Sequence, residues 1–477
     1  VTVDVGSSPS VADEPAAPRL FGRPLYFWVL LGVVAALPLG WFLGQDSQVA
    51  DRWPAPVRSA LAALVLGLDL IPGLILRALT AFAAPLIVLA ILSAILTNDI
   101  RGRQGARMMG FYLLNTLVAM TIGLTLANLI QPGQRSQALR TEPLEPGGPR
   151  RLIHVLSDES AAPSQTAAQP PRKSLRDVVT ELVPRNLVQA FLDNNLAQIV
   201  LVTIAVAIAL ARLRDQQRLL GRTAYQTVID LVTVGFEVAM RVLLWIVSLV
   251  PLAVFGVVTT SLARQGLGLF LGLGSFIVTV LLGLALQLAW YLTLLTARAG
   301  LSPGRFLRAA SDVMATTFST ASTAATIPIT LSALTGKLGV SRESSQLAAC
   351  VGTNFNNDGT ALYQAAAALD FAQSTGVALT LPDQMIVMLT TLLASVGAGG
   401  IPSGSFVTMP LIFSAVRIPA DNLFVLLTID WFLDRCRTTS NVLGDMTVAV
   451  LLDGRSPARI DPPSEARIDP PSDSQPS

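Results

Sequence analysis

The 477 residues contain one histidine, His154, and two cysteines, Cys350 and Cys436. The histidine lies in a polar stretch and both cysteines in apolar ones, so a disulfide framework, a Cys/His metal centre and a Ser–His–Asp triad are all poor fits. Charge is equally scarce. Lys, Arg, Asp and Glu make up 13% of the chain, against about 25% in an ordinary soluble domain. The 33 basic and 31 acidic residues leave a net charge of +2, which lacks the basic excess of a nucleic-acid footprint. What is present is apolar surface: 52% hydrophobic residues and a mean hydropathy of +0.58. So little charge cannot cover a water-facing surface, and the composition is that of a polytopic membrane protein.

Residues 1–22 are polar and rich in Pro, Ala and Ser, and read as a disordered lead. Residues 26–44 follow, with Trp28 and Trp41 placed as interfacial anchors near the ends of a spanning helix. Further apolar segments cover 72–97, 106–131, 183–211, 223–260 and 266–297, each at or beyond the ~20 residues a crossing needs. Residues 132–182 are rich in Pro, Gly, Ser and Arg and predict a flexible external loop. Residues 453–477 carry ARIDPPS twice and read as a low-complexity tail. The arginines Arg101, Arg103 and Arg107, then Arg212, Arg214, Arg218 and Arg222, then Arg298, Arg305 and Arg308 fall on every second connection. The positive-inside rule places these connections and both termini in the cytoplasm, with the chain in the cell membrane.

From about 303 the pattern changes, and 303–452 separates as a core distinct from the membrane region 23–302. Segments 314–334 and 392–409 are apolar but interrupted by hydroxyl or glycine runs that end in Pro328 and Pro402. Gly and Pro unwind helices. Unwound backbone at membrane depth survives only where protein buries it or where it lines a polar cavity. Each broken segment precedes an apolar helix with polar groups. The first, about 344–369, packs Asn354, Asn356, Asn357, Asp358 and Thr360 into one short stretch; the second, about 421–452, holds DWFLDRCRTTSNVLGD. Asp434, Arg437 or Thr438, Asn441 and Asp445 recur at spacings of three or four and share one helical face. Such groups cost on the order of 3 kcal/mol each in lipid, so they face a cavity or one another. A repeated order of broken segment and polar helix points to a midplane binding site. Carboxylate, amide and carbonyl oxygens without thiol or imidazole suit a hard cation such as sodium. A guanidinium at Arg437 matches a carboxylate bidentately. Asp434 can hold an ammonium, and the hydroxyls and N–H groups of 319–328 a second carboxylate. The ligand with those three groups is an acidic amino acid.

NNDGTALYQ, SVGAGGIPSG and DWFLDRCRTTSNVLGD together resemble the sodium-coupled glutamate/aspartate and dicarboxylate transporters, the last motif being very similar to that of the animal excitatory amino acid transporters. The resemblance covers most of 26–452. It implies an all-α homotrimer, each protomer with eight transmembrane helices and two re-entrant hairpins built as inverted repeats. A transport domain then moves as an elevator against a scaffold. In this division the scaffold takes 26–44, 183–211 and 223–260, and the mobile part takes 72–131, 266–297 and 303–452. By resemblance Arg437 binds the substrate side-chain carboxylate and Asp434 its amino group; Thr360, Thr438, Asn441, the first tip at Ala321, Ser322 and Thr323, and the second tip at Ile401 also touch substrate. One sodium is implied at Gly352, Asn356, Asn441 and Asp445. A second is implied at carbonyls of Asn354, Ser395, Val396 and Ala398. A third is implied at Asp358 and Asn356 with Tyr112, Asn115 and Thr116. No enzymatic cofactor is implied.

Some positions depart from the family pattern. Asn357 stands where Met is usual, Asn115 where Thr is usual, and Gln364 where the animal transporters carry a proton-binding Glu. The dicarboxylate branch lacks an acid at 434 and the neutral amino acid exchangers lack the arginine at 437, so the pair favours aspartate or glutamate. C4-dicarboxylate or neutral amino acid transport on the same fold, and a substrate-gated anion conductance, are the neighbouring alternatives. An intramembrane aspartyl protease using Asp358 and Asp434 is disfavoured, because Arg437 beside the pair opposes a shared proton.

Overall fold

The computed structural model describes residues 19–20, 23–44, 54–97, 102–138, 184, 186–192, 196–265, 268–398, 404–418 and 423–454. The lead before residue 19, most of the 132–182 loop, and the tail beyond 454 lie outside the described residues.

A small antiparallel pair, β1 (Arg19–Leu20) and β2 (Arg23–Pro24), precedes an otherwise helical chain. The helices are α1 (Leu25–Leu43), α2 (Ala55–Thr97), α3 (Gly102–Ile130), α4 (Pro132–Ala138), α5 (Leu187–Leu192), α6 (Leu196–Leu219), α7 (Ala224–Ser248), α8 (Val250–Gln265) and α9 (Gly268–Leu294), the last extended by a π turn to Ala299. Then come α10 (Pro303–Thr320), a 3₁₀ turn (Ala324–Thr326), α11 (Ile327–Ser332) with a π turn to Lys337, α12 (Arg342–Phe355), α13 (Asp358–Ser374), α14 (Leu381–Ala398), α15 (Gly404–Ala415) and α16 (Leu423–Asp453). Among the described residues, four stretches are long and apolar enough to cross a membrane: Ala55–Leu96, Arg103–Arg135, Ala224–Ala263 and Gly272–Ala299. Phe27–Leu43 and Leu381–Ser395 are shorter apolar helices. Length and hydropathy therefore mark fewer crossings among the described residues than the eight the resemblance implies.

Several boundaries differ from the sequence reading. The segment expected at 72–97 begins at Ala55, and its helix runs through Pro72 and Pro85. Prolines are tolerated there because neighbouring helices stabilise the interrupted ladder. The segment expected at 183–211 becomes α6, which starts at Leu196 and ends among Arg212, Arg214, Asp215 and Arg218. The segment expected at 223–260 bends at Leu249, just before Pro251, and divides into α7 and α8. The helix expected at 344–369 is two helices, α12 and α13, parted at Asn356 and Asn357. Asn356 sits at φ −101°, ψ 97°, and the side chains of both asparagines bond to other elements in place of extending the helix.

Two packing groups emerge. The first joins α1, α2, α6, α7 and α8; α2 runs along α6, α7 and α8. The second joins α3, α4, α9, α10, α12, α13 and α16, while α14 and α15 touch members of both groups. α2, which includes the 72–97 segment, packs along α6, α7 and α8 and also touches α14 and α15.

At the centre of the second group lies α13. Its residues Ala361, Ala365, Ala366, Ala367, Ala368 and Ala372 are buried on every side of the helix. A helix apolar all round belongs in the interior, and small side chains let neighbouring helices approach closely. The last half of α16 is buried in the same way from Ser440 to Leu452.

Candidate functional site: a buried charge cluster between broken helices

Arg437 is fully buried on α16. Its Nη2 donates to Asp430 Oδ1 at 2.7 Å and to Asp434 Oδ1 at 2.8 Å. Its Nη1 donates to Ser405 Oγ of α15 at 3.2 Å, and the guanidinium carbon stacks 4.0 Å from the ring centre of Tyr363 on α13. Three helices therefore hold one cation. Two carboxylates share it, so the trio carries one surplus negative charge. The two acids differ in access: the Asp430 side chain is 6% exposed and that of Asp434 is 30% exposed. Asp434 is the acid that can meet an incoming ammonium.

Asn441, one turn further along α16, accepts from the backbone N–H of Gly359 through Oδ1 at 2.8 Å, and its Nδ2 reaches Asn357 Oδ1 and Thr360 Oγ1, each at 3.4 Å. Thr438 turns its hydroxyl back to the Asp434 carbonyl at 2.7 Å. The first broken segment ends α10 at Thr320, and Ala321 caps it at φ 52°. A left-handed non-glycine residue costs roughly 1 kcal/mol. Ser322 Oγ accepts from Ala325 N–H at 3.2 Å, and Thr326 Oγ1 donates to the Thr323 carbonyl at 2.7 Å. Phe318 meets Phe432 edge-on with ring centres 6.3 Å apart, which seats this end of α10 against α16. Ile401 lies outside the described residues.

A second cluster sits behind the first. Asp445 of α16 accepts from Asn356 Nδ2 at 2.8 Å, and the same Nδ2 reaches the Asn441 carbonyl at 2.8 Å. Asp358 lies 2.6 Å from Thr116 Oγ1 through Oδ1 and 2.7 Å from Tyr291 Oη through Oδ2. Among the described residues, no ion pair joins Asp358 or Asp445 to a basic side chain. Both are buried, and burying an unpaired carboxylate is costly. The Asn356 carboxamide oxygen is buried with no hydrogen-bond partner, and an acceptor of that kind beside two acids suits a hard cation. Tyr112 donates to the Ala348 carbonyl at 2.8 Å beside this cluster.

Two glycines permit this crowding. A Cβ at Gly352 would run into the Asp445 carboxylate and sit 2.6 Å from Tyr112 Oη. At Gly444 it would lie 2.6 Å from Asn356 Nδ2 and 2.9 Å from Tyr291 Oη. Gly444→Ala therefore displaces both side chains, and loss of groups that orient ligands typically lowers metal affinity about 10–100-fold. The expected result is a sodium midpoint for thermal stabilisation raised by about tenfold or more; an unchanged midpoint contradicts the placement.

Five residues expected at sodium sites need separate treatment. Asn115 turns towards α9: Trp290 Nε1 donates to its Oδ1 at 3.0 Å and Gln287 Nε2 to its carbonyl at 3.3 Å. Its Nδ2 is buried without a hydrogen-bond partner. Asn354 is half-buried on the last turn of α12, and Val396 and Ala398 belong to the last turn of α14. Ser395, on that same turn, accepts through its carbonyl from Asn357 Nδ2 at 2.9 Å. Residues that sequence reasoning missed are Asp430, Ser405, Tyr363 and Tyr291. Asp430 was within reach, because it stands four residues before Asp434 on the same face.

A polar, charge-bearing interior held by interrupted helices inside an apolar frame defines a membrane transport protein. The model of the sodium:dicarboxylate symporter family matches residues 25–455, and the chain belongs to that family. It is similar to excitatory amino acid transporter 2 of Homo sapiens, 29% identical over 441 residues covering 82% of this chain and 74% of the relative. It is also similar to neutral amino acid transporter B(0) of Bos taurus, 31% identical over 80% of this chain and 72% of the relative. C4-dicarboxylate transport protein 3 of Ralstonia nicotianae is 28% identical over 88% of this chain and 86% of the relative.

Proposed function

We propose that the chain is a sodium-coupled symporter of acidic amino acids, aspartate or glutamate, in the cell membrane with both termini cytoplasmic. The observation that carries this reading is the arginine shared by two acids. A substrate carboxylate takes the guanidinium fork of Arg437, which releases Asp434 towards the substrate ammonium. The surplus negative charge of the trio is then offset by that ammonium. A C4-dicarboxylate has no ammonium and meets Asp434 as a like charge; a neutral amino acid leaves Arg437 without its second anion.

Sodium is the coupling ion of this reading. Asp445, Asn356, Asn441 and Gly352 form one set of oxygens for it; Asp358, Thr116, Tyr112 and the free Asn356 oxygen form another. The bound ion supplies the positive charge that the two buried carboxylates lack. Tyr291 and Thr116 hold Asp358, and Asn356 holds Asp445, so the carboxylates stay oriented. The packing groups support a scaffold of α1, α2, α6, α7 and α8 and a moving body of the second group. α14 and α15 lie between them. Motion is by elevator, in a homotrimer. The test is radiolabelled aspartate uptake into proteoliposomes with and without an inward sodium gradient. Uptake that requires the gradient is expected; uptake equal in sodium and choline media sinks the coupling.

A further inference from the structure

One contact at the charge cluster comes from α15, the helix that follows the second broken segment. Ser405, on its first turn and 4% exposed, accepts from Arg437 Nη1 at 3.2 Å. Thr408 and Ser414 of the same helix turn their hydroxyls back on it, donating to the carbonyls of Gly404 at 3.0 Å and Leu411 at 2.8 Å. Ser405 does not. Among the described residues its hydroxyl proton meets no acceptor.

The guanidinium has a matching gap. Nη2 serves both Asp430 and Asp434. Nη1 has two N–H groups and meets one acceptor among the described residues, Ser405. A hydroxyl O–H and a guanidinium N–H therefore stand side by side, both buried and both unengaged. Buried donors without acceptors cost free energy, and an oxygen anion satisfies a hydroxyl and a guanidinium together. The position of Ser405 is fixed from behind. Gln364 Nε2 of α13 donates to Thr408 Oγ1 at 2.6 Å, and both residues are buried. That bond pins α15 to α13 one turn beyond Ser405.

We propose that Ser405 is a substrate-contacting, specificity-determining residue: its hydroxyl donates to the substrate's side-chain carboxylate beside Arg437, so that this carboxylate joins α15 to α16. This rests on the symport reading above and goes further into the same site. The helix behind the second broken segment is then engaged through the distal end of the substrate. A ligand without a distal carboxylate leaves the Ser405 proton unengaged and gains nothing from it.

The experiment measures binding of aspartate, glutamate and alanine to the purified protein in saturating sodium, from the ligand midpoint for thermal stabilisation. Wild type, Ser405→Ala, Ser405→Gly and Ser405→Thr are run in parallel. A lost hydrogen bond to a charged group corresponds to about tenfold or more in affinity. The aspartate and glutamate midpoints are expected to rise by that factor in Ser405→Ala and Ser405→Gly, with the alanine midpoint unchanged. Ser405→Thr, which keeps the hydroxyl, stays close to the wild type. A general loosening of α15 raises all three midpoints alike and overturns the proposal. Unchanged aspartate and glutamate midpoints in the hydroxyl-free variants also overturn it. If both of those variants are too unstable to purify, Ser405 belongs to packing and the proposal falls. Wild-type protein that binds no aspartate in sodium is a different result and removes the symport reading itself.

Discussion

Arg437→Cys abolishes aspartate uptake. The replacement leaves Asp430 and Asp434 facing each other without their shared cation, and removes the only fork available to a substrate carboxylate in this cluster. Breaking a buried charge pair from one side costs about 3–5 kcal/mol of stability, and the same energy lost from substrate binding is on the order of 10²–10⁴-fold in affinity. Tyr363 loses its stacked cation as well, so the pocket that remains is apolar on one wall and acidic on the other. Such a pocket suits a ligand with an ammonium and no second carboxylate. Uptake assays with labelled aspartate and labelled alanine check both halves of this result. Retained aspartate uptake in the variant contradicts the role assigned to Arg437.

Asp445→Asn removes sodium dependence at its strongest point. The carboxylate is buried, accepts from Asn356 and has no basic partner among the described residues. Asparagine keeps the size and an oxygen that still accepts from Asn356 Nδ2, but deletes the charge and puts an NH2 group in place of the second oxygen. Loss of residues that merely orient ligands already costs about 10–100-fold in metal affinity, so loss of the charged group lies at or beyond the top of that range. The sodium concentration that half-stabilises the protein against heating is expected to rise at least about 100-fold. In sodium-free medium the neutral variant melts at or above the wild type, because a buried unpaired charge has been removed. A variant that keeps the wild-type sodium midpoint is incompatible with a cation at Asp445.

The transport class was legible because composition and interruption carry it. Scarce charge and long apolar runs mark a membrane protein, and the hydroxyl run before Pro328 marks the break between α10 and α11; residues 399–403, with Pro402, lie outside the described residues. The face of α16 was legible from the spacing of Asp434, Arg437, Asn441 and Asp445. It was read one turn short, and Asp430 was lost with that turn. The parting of α12 and α13 was not legible. Nothing local in FNNDG forbids a helix; the break follows from asparagine side chains that bond to α14 and α16, which is a tertiary effect. Tyr291 and Trp290 were hidden for another reason: aromatic residues inside an apolar run read as packing until the partner of each polar tip is known. The contact of Asn115 with α9, where Trp290 Nε1 donates to its carboxamide oxygen, was hidden for the same reason.

The central claim is that Arg437 and Asp434 together select a ligand with two carboxylates and one ammonium. The measurement that meets it most directly is competition for sodium-driven labelled aspartate uptake by unlabelled aspartate, glutamate, succinate and alanine. Strong competition by aspartate or glutamate, with succinate and alanine weaker by about 100-fold or more, is the predicted result. Succinate or alanine competing as well as the acidic amino acids contradicts it.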